Sequence, residues 1–130
     1  YADGNIDSSI NTLRISLKEE DKDILCKIRD IIGIKKDLVE LEYSKLNPNW
    51  SNQYLLSIPN KHFASSLVAN GVIPNKSLKL EFPTNLPIDL YSHFLRGYND
   101  GDGSISNSKR RKEVRFNSTK NFCEYAKLFI

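Results

Sequence analysis

The chain has 130 residues, 39% of them hydrophobic and 27% charged, which allows a real core and is ordinary for a soluble globular protein. No apolar run approaches the roughly 20 residues that a bilayer-spanning helix needs, and the first residues are not a charged-then-apolar signal segment, so neither a membrane partner nor secretion is expected. A net charge of +3 is too small to argue nucleic-acid binding by itself, and Cys26 and Cys123, with no C-x-x-C spacing and no nearby histidine, support neither zinc nor a redox pair.

Asn5 to Ile10 is polar and turn-rich. Thr12 to Lys18 then alternates, turning Leu13, Ile15 and Leu17 toward a core and Arg14, Ser16 and Lys18 outward, the period-two pattern of a half-buried strand. A helix is predicted from about Glu19, with Glu19, Glu20 and Asp21 in its first turn, Ile24, Leu25, Ile28, Ile31 and Ile32 as its apolar stripe, and Gly33 after its end. Leu38 to Ser44 alternates again, with Val39, Leu41 and Tyr43 on one side and Glu40 and Glu42 on the other, before the turn-like Asn47-Pro48-Asn49.

Gln53 to Ile58 supplies the next strand. Asn60 can cap a short helix whose inner face is Phe63, Ala64, Leu67 and Val68, and Gly71 stops it. Pro74 to Pro87 reads as a connector containing an extended run, Leu78 to Phe82. Pro87 opens a further helix with Leu90, Phe94 and Tyr98 along one side; Glu113 to Asn117 then reads as a strand and Thr119 to Ile130 as the start of a helix. Strands in runs with helices collected on one face imply an α+β layer, not a doubly wound parallel sheet.

The helix opened by Pro87 ends in Leu95-Arg96-Gly97-Tyr98-Asn99-Asp100-Gly101-Asp102-Gly103. Gly97 and Gly101 lie four apart, so they share a face on which a partner helix can approach closely. The start of the chain repeats the tail of this segment: Ala2-Asp3-Gly4-Asn5-Ile6 matches Gly101-Asp102-Gly103-Ser104-Ile105. Two such ends side by side would bring Asp3 and Asp102 together, with Ala2, Gly97 and Gly101 at the helix interface. Asp3 and Asp102 are ninety-nine residues apart, which implies an internal repeat with a first copy over 1–86 and a second over 87–130. Both copies read as incomplete, the first lacking most of its motif helix and the second its later strands, so residues before Tyr1 and beyond Ile130 are expected.

Competing readings accompany these motifs. Asp-Gly is a common turn. A calcium loop fails, because Tyr98 falls at its first position and Lys109 at its twelfth, where an acid is required. Lys109-Arg110-Arg111-Lys112 lies in a Ser- and Asn-rich stretch that reads as a loop, either a solvated hairpin tip or a phosphate contact. His62 and His93 are isolated, and Trp50 beside Pro48 and Asn49 reads as a loop anchor.

Leu95 to Gly103 fits L-x-G-x-x-D-x-D-G, and with Phe94, Ser104-Ile105, Gly71 to Ser77 and the strand-like Thr12 to Lys18 the chain resembles the single-chain, two-motif LAGLIDADG homing endonucleases. The resemblance implies pseudo-twofold αββαββα repeats, motif helices packed at the interface, and an antiparallel sheet saddle on double-stranded DNA. It implies that Asp3 and Asp102 bind metal, Mg²⁺ or Mn²⁺, with Ca²⁺ binding without cleavage, and that Lys76 in the connector assists. Lys61 and Lys79 compete for that role. Asp100, the other motif acid, would help end the helix.

On the exposed sheet face, Arg14, Ser16, Lys18, Gln53, Ser57 and Arg115 are candidate DNA contacts, with a solvated face as the alternative for each; Glu40 and Glu42 would accept from cytosine amino groups. The implied activity is a double-strand break at a long asymmetric site by a monomeric enzyme of a bacterial, phage or organellar host. The alternative is a non-cleaving binder on the same scaffold, an intron RNA maturase or a DNA-binding regulator. A third class, a structural module dimerising through Gly97 and Gly101, holds only if neither nucleic acid binds.

Overall fold

The computed structural model describes residues 1–74, 76–108 and 111–130, with only the backbone of Ser77. It is a mixed α+β structure with antiparallel sheets, and it divides into two compact units, Asp3–Ser65 and Tyr1–Ala2 with Ser66–Ile130.

The unit Asp3–Ser65 is built on a four-stranded sheet. Its strands are β1 (Gly4–Asp7), β2 (Thr12–Lys18), β3 (Val39–Leu41) and β4 (Gln53–Pro59), in the order β1-β2-β4-β3 with every pair antiparallel. The polar stretch after Asp3, expected to be turn, is strand β1, because β2 supplies a complete antiparallel ladder for Gly4 to Asp7. Residues directly opposite share a face. Pairing Leu13 with Ile58, Ile15 with Leu56 and Leu17 with Tyr54 therefore makes one apolar face, and pairing Arg14 with Ser57 and Lys18 with Gln53 makes one polar face.

Helix α1 (Lys22–Ile32) covers the apolar face. A 3₁₀ turn, Glu19–Asp21, leads into it, and Gly33 ends it at φ 77°, where a side chain would be strained. Its register on the sheet differs from the expected stripe: Leu25 is fully buried, whereas Ile31 is 85% exposed. The Lys22 ammonium lies 4.0 Å from the Tyr54 ring centroid, a cation–π contact that pins the first turn over β4. Glu40 pairs with Tyr54 and so falls on the helix side, while Val39 and Leu41 join the polar face. The expected placing of Glu40 on the recognition face is thereby reversed.

Helix α2 (Lys61–Ala69) carries the chain out of this unit. As expected, Asn60 caps it, its side-chain oxygen accepting from the Phe63 N–H at 3.0 Å. Gly71 follows with φ 89°.

The other unit contains a 3₁₀ turn (Lys76–Leu78), α3 (Tyr91–Asp102), β5 (Gly103–Asn107), β6 (Lys112–Phe116) and α4 (Lys120–Ala126). Its core is aromatic. Leu80, Phe82, Tyr91, Leu95, Tyr98, Phe122 and Ala126 are buried together, with Tyr1, Phe94 and Phe116 packed around them. Phe82 stacks on Tyr91 and on Phe129, and Tyr98 lies 4.5 Å from Phe122, offset geometries that add to plain burial. Leu78 to Phe82 forms no strand, having no ladder partner, yet its alternation is real: Leu80 and Phe82 are buried, and Lys79 and Glu81 exposed. Thr119 caps α4, accepting from the Phe122 N–H and donating to the Leu80 carbonyl at 2.6 Å. The segment after Asp102, read as loop, is strand β5 paired with β6.

Candidate functional site

Helix α3 ends where its acids are. Asp102 is its last residue, and the Gly103 N–H closes the final turn on the Asn99 carbonyl. Gly103 has an extended backbone that any residue could adopt; glycine is required because a Cβ there would run into the Asn99 carbonyl and side chain. A carboxylate at a helix C-terminus sits at the negative end of the helix dipole, so this end repels anions and attracts cations. Asp100 and Asp102 are both exposed there.

Asp102 borders a cleft of about 300 Å³ that Lys76, Tyr98, Asn117 and Ser118 also line, with Tyr1, Ala2 and Leu80 completing it. The Tyr98 hydroxyl donates to the Asn117 carbonyl at 3.2 Å. Burial pushes the Tyr98 phenol above its ordinary range; the Ser118 hydroxyl opposes that shift and the negative charge of Asp102 adds to it. Among the described residues, Ser118 Oγ is buried without a partner that meets hydrogen-bond geometry. Tyr1 closes one side, its ring edge-on to Phe94 at 5.0 Å and its hydroxyl donating to the Asn70 carbonyl at 2.6 Å against the open face of Gly71.

The candidate residues are distributed as follows. Lys76 and Asp102 share the cleft. Lys79 is exposed outside it, and Lys61 begins α2. Asp3 is an exposed residue at a bend immediately before β1, as Asp102 immediately precedes β5. Gly97 and Gly101 are exposed on α3, and Ala2 is half-buried. Tyr98, Asn117 and Ser118 were not singled out for chemistry. The polar run Asn117-Ser118-Thr119 directly after an alternating strand was the available signal.

On the polar face of the first unit, Arg14 and Lys18 are exposed, and the Ser16 hydroxyl donates to the Gln53 side chain at 2.9 Å. Arg14 pairs with Asp7 at 3.3 Å. The β5–β6 hairpin exposes Arg111, Lys112 and Arg115, the two arginines both engaging Glu113; Lys109 and Arg110 lie outside the described residues. The two hairpins share one register. Gly4 opposes Ile15 as Gly103 opposes Phe116, and Asn5 opposes Arg14 as Ser104 opposes Arg115. Arg14 and Arg115 therefore occupy the same register position in the two hairpins.

Among the described residues no three His, Cys, Asp or Glu side chains gather as a metal cluster. The cleft nonetheless offers hard oxygens of the kinds a divalent cation takes, the Asp102 carboxylate and the Asn117 main-chain carbonyl, with phosphate and water left to complete the shell. No described helix is long and apolar enough to cross a membrane.

Over α3 to α4 an Asp-Gly helix end feeds a β-hairpin and then a helix. Residues 89–123 match the model of the LAGLIDADG-like domain. That segment is a LAGLIDADG-like domain, and the resemblance carried by Leu95 to Gly103 is borne out there; the domain aligns it with homing endonucleases and maturases generally. No curated protein matches the chain.

Proposed function

We propose that the protein is a site-specific homing endonuclease that makes metal-dependent double-strand breaks at a long asymmetric DNA target, acting in intron or intein mobility. The supporting observation is the convergence of Asp102 and Lys76 on one oxygen-lined cleft at the C-terminal end of α3. In this reading the Asp102 carboxylate, and by the expected repeat that of Asp3, would hold Mg²⁺, whose charge would serve to polarise a phosphate and to acidify water, and the Lys76 ammonium would offset charge developing on the phosphate. Arg14, Ser16, Lys18, Gln53 and Ser57, with Arg115 and the basic run Lys109 to Lys112, contact the duplex, phosphates setting position and base edges setting sequence.

Asp102→Asn keeps the size of the side chain while halving its ligand power. It should abolish cleavage of a randomised duplex library in Mg²⁺ and leave DNA retention within a few-fold of the parent. Asp3→Asn should do the same. Continued cutting by either variant refutes the metal assignment, and specific retention of intron RNA without any cutting moves the protein to the maturase reading.

A further inference from the structure

We propose that Tyr98 is a positioning residue for the Asp102 carboxylate, an inference that rests on the metal reading of the cleft. Tyr98 and Asp102 stand four residues apart on α3 and therefore one turn above the other on the same face, and both line the cleft. The Tyr98 ring is locked: it is 4% exposed, tilted against Phe122 at 4.5 Å and edge-on to Phe116 at 5.8 Å.

The hydrogen bond that the Tyr98 hydroxyl proton makes is to the Asn117 carbonyl, at a long 3.2 Å. Asp102, four residues on along α3 and lining the same cleft, is the neighbouring acceptor to which that proton can turn, and its negative charge adds to the upward shift of the phenol. A buried donor fixed by its ring and weakly engaged elsewhere is suited to hold an exposed carboxylate in one rotamer, the service that outer-shell donors give to metal ligands.

Tyr98→Phe removes the hydroxyl and keeps the ring. Mn²⁺ binding to the full chain, followed by loss of the free-ion electron paramagnetic resonance signal, should weaken about tenfold in this variant, with the thermal midpoint and metal-free DNA retention unchanged. The same substitution made in an Asp102→Asn background should change Mn²⁺ binding no further, because the two residues act through one carboxylate. Parent-like Mn²⁺ affinity in Tyr98→Phe, with Asp102→Asn defective, overturns the positioning role and leaves the metal reading standing. An equal loss in both backgrounds overturns it as well, since the hydroxyl would then act independently of Asp102. Absence of Mn²⁺ binding by the parent overturns both.

Discussion

In hairpin β1–β2, Ile6 opposes Leu13 and the pair is buried, at 4% and 8% exposure; in hairpin β5–β6 the same register position holds Ile105 opposite Val114, at 71% and 62%. Apolar character, strand pairing and the neighbouring arginine are alike in the two hairpins. What differs is the layer beyond the hairpin. β4 extends the first hairpin into a four-stranded sheet that α1 covers, whereas β5 and β6 form a two-stranded sheet joined to its core through Phe116. Two hairpins of like register thus differ in burial because of the elements packed around them.

The largest effect should come from truncating the two pairs. Ile6→Ala or Leu13→Ala should each cost about 2–5 kcal/mol in urea unfolding, because a buried side chain leaves a cavity. Ile105→Ala or Val114→Ala should stay within about 0.5 kcal/mol. Equal losses in both hairpins would remove the distinction.

A middle-sized effect separates the caps. Asn60→Ala removes one bond, from the Phe63 N–H, and should cost about 1 kcal/mol. Thr119→Ala removes a cap and also the bond to the Leu80 carbonyl, which ties α4 to the connector. It should cost more than Asn60→Ala, toward about 2 kcal/mol. Denaturant midpoints of the two variants, measured side by side, check the order.

The smallest effect is electrostatic. The Ser9 hydroxyl holds the Asp7 carboxyl below its ordinary value, with Arg14 contributing, and Arg115 does the same for Glu113. A depressed folded-state pKa gives stability that is present above the ordinary carboxylate range, about pH 4, and is lost as pH falls through the folded value. Asp7 on β1 and Arg14 on β2 join two strands, whereas Glu113 and Arg115 both lie on β6. Acidification from pH 7 to pH 3 should therefore loosen amide-exchange protection across β1–β2 more than across β5–β6, and Ser9→Ala should reduce that difference.

Much of this was legible in the sequence wherever a side-chain pattern or a cap stated it. Alternation from Thr12 to Lys18 and from Gln53 to Ile58, the cap at Asn60, and the stops at Gly33 and Gly71 all appear in the structure. β1 and β5 were not legible, because Gly, Asn, Asp and Ser have poor strand propensity and become strand only when β2 and β6 supply their ladders. Ile31 misled, since its exposure depends on where α1 crosses the sheet. Within the cleft, the L-x-G-x-x-D-x-D-G pattern pointed to Asp102 and the connector to Lys76. Tyr98 looked like core, and its ring is core; the relevance of its hydroxyl appears only when the backbone of Asn117 reaches it across a hairpin.

The aromatic residues are unevenly divided. Trp50, the one tryptophan, lies with Tyr43, Tyr54 and Phe63 in the unit Asp3–Ser65, while Phe82, Phe94, Phe116, Phe122 and Phe129, with Tyr1, Tyr91, Tyr98 and Tyr125, belong to the other. Indole emission therefore reports on one unit, and the near-ultraviolet circular dichroism of the packed rings reports chiefly on the other. A single denaturant titration read in both optical channels measures the cooperativity between the units, with coincident curves for one transition and displaced curves for two.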